Sequence, residues 1–266
     1  MVGVEVSSCE LSMLGIVGDR EWAIRDLDRG GIRGAKRIGD LMQFVAEPLR
    51  DGSHHVRITF PNGTHATSAD DDINDKLSQA LGIHVQLESL PSAENLDHFR
   101  RGPAYEDDPM AELRSVFGRT ESEPLPNFAV FPPEVVEFES PPGTHYDCWP
   151  LMVMTTSALR ALSNALPGSV IDVRRFRPSI VIDGAPDGHA EFGWKGKRAQ
   201  IGSTTIEFLD PCPRCVMPTR RINDQIPEDR EILRHIVRDL DQNLGVYARV
   251  LSPGKCSVDD EVQFVD

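Results

Sequence analysis

Apolar and polar residues alternate along Glu21-Trp22-Ala23-Ile24-Arg25-Asp26, the pattern of a half-buried strand, until the turn signal Asp28-Arg29-Gly30-Gly31 breaks it. Val56–Phe60 and Thr64–Thr67, joined through Pro61-Asn62-Gly63, predict a β-hairpin, because Asn-Gly accepts the positive φ of tight hairpin turns. Ser68 then stands where a helix cap is expected, and Asp70, Asp71 and Asp72 fill the first turn beside the positive end of the helix dipole. Ile73, Leu77 and Leu81 recur on one face and Gly82 ends the helix, so the Asp triplet reads as a capped helix start rather than a metal site. Prolines and acids dominate residues 91–147, which predicts a connector of extended loops with one short helix near Met110–Phe117. Beyond it, Pro150–Met154 is a short buried strand, and Thr155 or Thr156 caps a helix bearing Leu159, Leu162 and Leu166 on one face, ended by Pro167-Gly168. Ser179–Gly184 and Ala199–Leu209 are strand-like. Glu228–Leu244 is an amphipathic helix with Ile232, Ile236 and Leu240 at spacing four, ended by Gly245. Strands over Val246–Leu251 and Val262–Val265 close the chain. The pattern is α+β and predominantly β, with a β-barrel core. It divides into a β-rich part over 1–90, the connector over 91–147 and a compact part over 148–266.

Composition narrows the function. A chain of 266 residues with 39% hydrophobic and 26% charged residues is an ordinary globular protein, and none of its stretches approaches the roughly 18 apolar residues of a membrane span. The formal charge of −14 repels nucleic acid and anionic lipid. The first residues carry neither a basic region nor an apolar run, so a cytoplasmic location is expected. Five cysteines, of which only Cys212 and Cys215 are close in sequence, argue against a disulfide framework and for a reducing compartment.

Two basic islands stand out against this acidic background. Arg174-Arg175-Phe176-Arg177-Pro178 brings three guanidiniums to a strand entrance, and forks of that kind bind phosphate bidentately. For Arg174 and Arg175 a solvated face paired to nearby acids accounts for the residues equally well. Arg177 is the better anion-binding candidate, since the following proline is expected to hold its backbone extended. The second island surrounds Cys212-Pro213-Arg214-Cys215, on a loop expected after the strand that ends at Leu209. A structural zinc site lacks a second ligand pair, and the flanking prolines disfavour a thioredoxin-type helix start. There remain a buried inert cysteine and a functional thiolate that Arg214, Arg220 and Arg221 would favour in its ionised form, able to ligate a soft metal or carry sulfur. His145 and His189, without partner motifs, read as surface residues, and Cys9, Cys148 and Cys256 as structural.

Four segments resemble the MOSC family, the domain named for the C-terminus of molybdenum cofactor sulfurases and shared by mitochondrial amidoxime-reducing components. Gly15-Ile16-Val17-Gly18-Asp19-Arg20-Glu21-Trp22 resembles the Gly-Leu-x-Gly-Asp-Arg-x-Trp signature of the N-terminal β-rich domain, and Phe176-Arg177-Pro178-Ser179 resembles a Phe-Arg-Pro-Asn strand. Trp194 through Gly202 to Cys212-x-Arg214-Cys215 and Thr219 is similar to the core motif, and Gly245-Val246-Tyr247 with Ser252-Pro253-Gly254 to the closing strands. The resemblance implies a β-barrel with peripheral helices and the molybdenum cofactor, a molybdopterin that carries a phosphate. Residue by residue it implies Cys215 as the molybdenum ligand and the catalytic residue, with Arg214 beside it. Arg20 and Arg177 would hold phosphate or pterin, Tyr247 would line the pocket, and Ser179 stands where the family often has Asn. Family members usually begin with a strand ending in Lys-Ser, whereas Met1–Val6 looks like the residues that follow it, so upstream in-frame codons for that strand are expected unless the chain is truncated.

The implied activity is two-electron reduction of small N-hydroxylated or N-oxygenated compounds. Apart from the loop pair, the chain shows no cysteine set of the kind a [2Fe–2S] module requires, so electrons would come from a separate ferredoxin, flavoprotein or cytochrome-type donor. The alternatives are a sulfur-carrier or cofactor-handling protein using a Cys215 persulfide, and a cofactor-free interaction domain.

Overall fold

The computed structural model describes residues 1–49 and 51–266. Its elements run β1 (Ser8–Ser12), β2 (Gly15–Ile16), β3 (Trp22–Asp26), β4 (Val45–Pro48), β5 (Val56–Thr59), β6 (His65–Thr67), α1 (Ile73–Leu81), β7 (Val85–Ser89), α2 (Leu96–Phe99) and α3 (Pro109–Phe117). The second half holds β8 (Leu151–Thr155), α4 (Thr156–Ala165), β9 (Ile180–Ile182), β10 (Arg198–Ile201), β11 (Thr204–Pro213), α5 (Glu231–Asp239), β12 (Asn243–Ser252), β13 (Gly254–Ser257) and β14 (Val262–Val265). The fold is mixed α+β with more strand than helix, and its largest sheet curls into a half-barrel.

That sheet has the order β14-β10-β11-β12-β8-β9. All pairings are antiparallel except β8 with β9, which run parallel and therefore need the crossover that α4 supplies. Register shifts between β11 and β12 bend the ladder where β11 approaches the cysteine loop. Leu151, Val153, Ala199, Ile206, Phe208, Val246 and Ala248 fill the inner face. On the other face α4 and α5 contribute Leu162, Ile232 and Ile236 to a cluster with Met154, Phe176, Cys212 and Tyr247. A third cluster, built on Phe44, Ile58, Leu77 and Val85 of the N-terminal part, also takes in Met217, Ile222 and Ile226. The loop after β11 thus anchors one end in the sheet and the other in the N-terminal core. The chain's two ends also meet, since β1 pairs antiparallel with β13. Among the described residues no helix is long and apolar enough to cross a membrane.

Several expected elements form, among them the hairpin of β5 and β6, α3 at 109–117, and α4 with Thr155 accepting the Ala158 N–H as its cap. Others differ for identifiable reasons. Ser68 does not cap α1: its hydroxyl accepts the Val56 N–H across the hairpin, and the helix starts only at Ile73. Ala199–Leu209 is not one strand but the hairpin of β10 and β11, turned at Gly202. Helix α5 ends at Asp239 rather than Leu244, because Asp241 and Gln242 adopt φ of 47° and 71°, a left-handed exit that launches β12. Gly245 accordingly belongs to β12. Its φ of 77° brings its backbone against Met152 and Val153, where a Cβ would collide.

Candidate functional site

The loop carrying Cys215 is held by two buried arginines. Arg175, fully buried, donates from Nε to the Val170 carbonyl at 2.9 Å and from its terminal nitrogens to the carbonyls of Pro218, Arg220 and Pro227 at 2.7–3.1 Å. Arg119 donates to the carbonyls of Phe117 and Arg214 and to Gln242 Oε1, and burial lowers its pKa to about 10. Backbone bonds from Arg214 N–H to Gln242 O and from Val216 N–H to Val116 O flank Cys215 on both sides. Cys212 is the penultimate residue of β11, so the cysteine pair spans a strand end and the irregular segment after it rather than lying wholly in a loop.

Cys215 is half-buried. Burial and then the Asp147 carboxylate push its thiol up, against the opposing pull of Lys36, Arg214 and the Met217 N–H. The expected arginine environment forms only in part. Arg220 donates to the Lys36 carbonyl and Arg221 pairs with Asp224, so neither is directed to the sulfur, and the thiol's pKa lies above rather than below its ordinary value. Arg214, only 5% exposed, donates to the Phe176 carbonyl at 2.9 Å and to Cys212 Sγ at 3.3 Å.

A charged seam between the N-terminal part and the second half reaches the thiol through Lys36 and Asp147. Arg20 stands over the Tyr146 ring, 4.8 Å from its centroid, and Gly15 is pressed against that ring so closely that a Cβ would lie 2.8 Å from the phenolic oxygen. Lys36 Nζ lies 3.5 Å from Asp147 and 3.7 Å from Glu139; burial opposes its charge, but the two carboxylates outweigh it and hold its pKa above the ordinary value. Asp147 is held low, for burial is outweighed by Lys36, Arg20 and Arg177. Burial and the neighbouring Arg20 bring Arg177 down to about 10. Arg20, Lys36, Arg101 and Arg177 thus face Asp19, Glu139 and Asp147, a small local excess of positive charge in an acidic chain.

Both seam arginines have left-handed backbones, φ being 55° at Arg20 and 53° at Arg177. Arg177 is therefore not extended as its proline predicted: its N–H closes a turn onto the Val173 carbonyl, and that closure outweighs the local preference. Non-glycine residues pay on the order of 1–3 kcal/mol for such backbones, which persist where surrounding structure demands them. The Arg20 carbonyl accepts from His145 Nδ1 at 2.9 Å, and His145 Nε2 meets His98 Nε2 at 2.9 Å, with Glu88 and Arg25 behind His98. His145 is therefore not a surface residue; burial lowers its pKa to about 4. His189 is also withdrawn, its side chain 15% exposed beside the fully buried Glu191.

The other sequence candidates separate. Arg174 is exposed and pairs with Asp172 at 2.7 Å. Ser179 Oγ accepts the Met152 N–H, linking β8 to the start of β9. Tyr247 is buried with its hydroxyl between Cys148 and Cys212; burial first, then those thiols, raises its pKa well above the usual value. Lys36, Asp147 and Tyr146 were missed. The faint available signals were a lysine following Gly34 and an Asp-Cys pair at the end of the proline-rich stretch.

Arg20 Nε, Arg214 Nε and the Tyr146 hydroxyl are buried without a hydrogen-bond partner. Buried donors are ordinarily satisfied, so this set fits an anionic ligand. Cys215, on the same seam through Lys36 and Asp147, adds a soft ligand for a thiophilic centre. Among the described residues no group of three or more His, Cys, Asp or Glu is arranged around a metal position, so a metal here would need ligands beyond the protein's own.

The sequence is 34% identical to mitochondrial amidoxime reducing component 2 of Macaca fascicularis over 73 residues, 27% of this chain and 21% of that protein. The chain thus spans about a fifth of the length of the curated relative it matches. Solved structures that resemble it include YiiM from Geobacillus stearothermophilus (14% identity, 44% of this chain and 55% of that one, TM-score 0.35). YuaD from Bacillus subtilis is another (13% identity, 45% and 65%, TM-score 0.37). The family model of the MOSC domain matches residues 142–263, a range that contains Arg177, Ser179, Cys212, Arg214, Cys215 and Tyr247. Residues 142–263 of this chain are a MOSC domain.

Proposed function

We propose that the seam between the N-terminal part and the MOSC domain binds the molybdenum cofactor, with Cys215 as the protein's sulfur ligand, and that the protein reduces small N-hydroxylated or N-oxygenated compounds. The observation that carries this reading is the pair of buried donors on Arg20 and Tyr146 that make no hydrogen bond and have only the Asp19 carboxylate beside them, in a seam that also faces the Cys215 thiol. MOSC domains are associated with this cofactor, and the curated relative is named an amidoxime reducing component.

When bound, the cofactor supplies a two-electron centre for removing oxygen from the substrate. Everything else falls to side chains of this chain. Arg20, Lys36 and Arg177 hold the anionic phosphate end, and the Tyr146 hydroxyl donates to it. Asp147 keeps the cations aligned and limits how much positive charge the seam accumulates. Arg175 and Arg119 fix the loop backbone, so Cys215 presents its sulfur at one position. Its proton leaves on ligation, which makes binding proton-releasing. Electrons come from a separate donor protein of ferredoxin, flavoprotein or cytochrome type. The test is reduction of benzamidoxime by protein from a cofactor-competent host, with chemically reduced viologen as donor. Wild type is expected to turn over and Cys215→Ser to fall to background with an unchanged thermal midpoint. Equal turnover by both would overturn the reading.

A further inference from the structure

We propose that Cys9 and Cys256 form a reversible disulfide site that is oxidised by low-molecular-weight disulfides of the glutathione class. Nothing in the proposed reductase chemistry uses either residue. The two thiols are 247 positions apart in sequence yet directly opposite each other on β1 and β13, flanked by the register pairs Ser8 with Ser257 and Glu10 with Lys255. Their sulfurs are 3.4 Å apart. Directly opposed residues on antiparallel strands have Cα atoms about 4.5–5.5 Å apart, within the range that a disulfide spans, so closure needs side-chain rotation and little backbone movement.

The two thiols also differ in the way exchange chemistry requires. Cys9 is half-buried and accessible, whereas Cys256 is 8% exposed. The Cys256 S–H lowers the Cys9 pKa to about 7, against burial and Asp19, while Cys256 itself is pushed up, first by Cys9 and then by burial. Cys9 is therefore the attacking thiolate. Its sulfur bonds to one sulfur of the small disulfide, whose S–S bond breaks and releases one thiol. Cys256 then loses its proton and attacks the Cys9 sulfur, releasing the second thiol. Two protein thiols are oxidised by two electrons, and one small disulfide is reduced to two thiols. The bond ties the strand that leads through β2 to Arg20 onto the end of the MOSC domain.

The test uses the full chain, fully reduced and then incubated with oxidised glutathione before alkylation and peptide mapping. Wild type is expected to fall from five alkylatable thiols to three, with the Cys9 and Cys256 peptides linked, a raised thermal midpoint, and reversal by dithiothreitol. Cys256→Ser should stall as a mixed disulfide on Cys9, and Cys9→Ser should leave Cys256 unmodified. The proposal fails if both peptides of the wild type remain alkylatable after oxidation, or if the wild type stops at the mixed disulfide on Cys9. Neither readout depends on molybdenum, so this result stands or falls apart from the reductase assay.

Discussion

Two groups of buried arginine make opposite use of the same side chain. Behind the cysteine loop, Arg175 directs all three guanidinium nitrogens to backbone carbonyls, and Arg119 does the same with two carbonyls and an amide oxygen. In the seam, Arg20 keeps a buried nitrogen that makes no hydrogen bond and lies 3.5 Å from the Asp19 carboxylate, Arg177 has its pKa depressed by burial and by the facing Arg20, and both residues hold left-handed backbones. The first group is structural because its donors are accounted for. The second is the group we propose as a binding site, because the Arg20 Nε donor makes no hydrogen bond and Arg177 carries its charge under a burial penalty. Burial alone does not separate the two roles; the hydrogen-bond inventory does.

The sharpest way to break this contrast is Arg175→Met. Carbonyls of Val170, Pro218, Arg220 and Pro227 would all lose their donor, and the expected loss of unfolding free energy in urea is on the order of 3–5 kcal/mol. A loss under about 1 kcal/mol would mean that the loop does not depend on the clamp.

Next in size is the pH dependence of the support beneath Arg20. His145 is neutral when folded, its pKa lowered from 6.5 to about 4 by burial, with His98, Glu88 and Arg25 facing it. The unfolded chain therefore takes up the proton first. Stability is full above about pH 6.5 and falls as pH drops toward about 4, by up to about 3 kcal/mol from this residue. His98, lowered chiefly by burial, acts in the same direction. Urea titrations of wild type and His145→Asn over that window should show a flatter profile in the variant.

A smaller effect of opposite sign is expected at Arg177. Arg177→Gly removes a positive φ penalty and a like-charge neighbour, and should raise stability by about 1 kcal/mol while weakening cofactor retention. Lost stability would show that Arg177 belongs with the structural group. Arg174→Ala, at the exposed pair with Asp172, should stay within about 0.5 kcal/mol of wild type.

The elements legible in the sequence were those whose apolar spacing matched their final burial, such as the hairpin around Asn62-Gly63 and the Ile232, Ile236 face of α5. Strand β1 was not legible because only Leu11 in it is fully buried, so no alternation marks it, and its partner β13 lies at the far end of the chain. The Arg174–Arg177 run looked like a single island, yet it divides into a surface pair, a loop clamp and a seam cation. A turn rotates successive side chains to different surroundings, and charge patterning carries no record of that rotation. Cys215 stood out because guanidiniums surround it in sequence. Lys36 and Asp147 reach it only through tertiary packing, as does the pairing of Cys9 with Cys256.

The central claim is that the seam holds a cofactor through Cys215 and its unspent cations, and metal content tests it most directly. Molybdenum should be measured in wild type, Cys215→Ala and Arg177→Gly purified from a cofactor-competent host. Near-stoichiometric molybdenum in wild type and much less in both variants, all folded, is the predicted result. Absence of molybdenum from the wild type, or equal content in all three proteins, would contradict it.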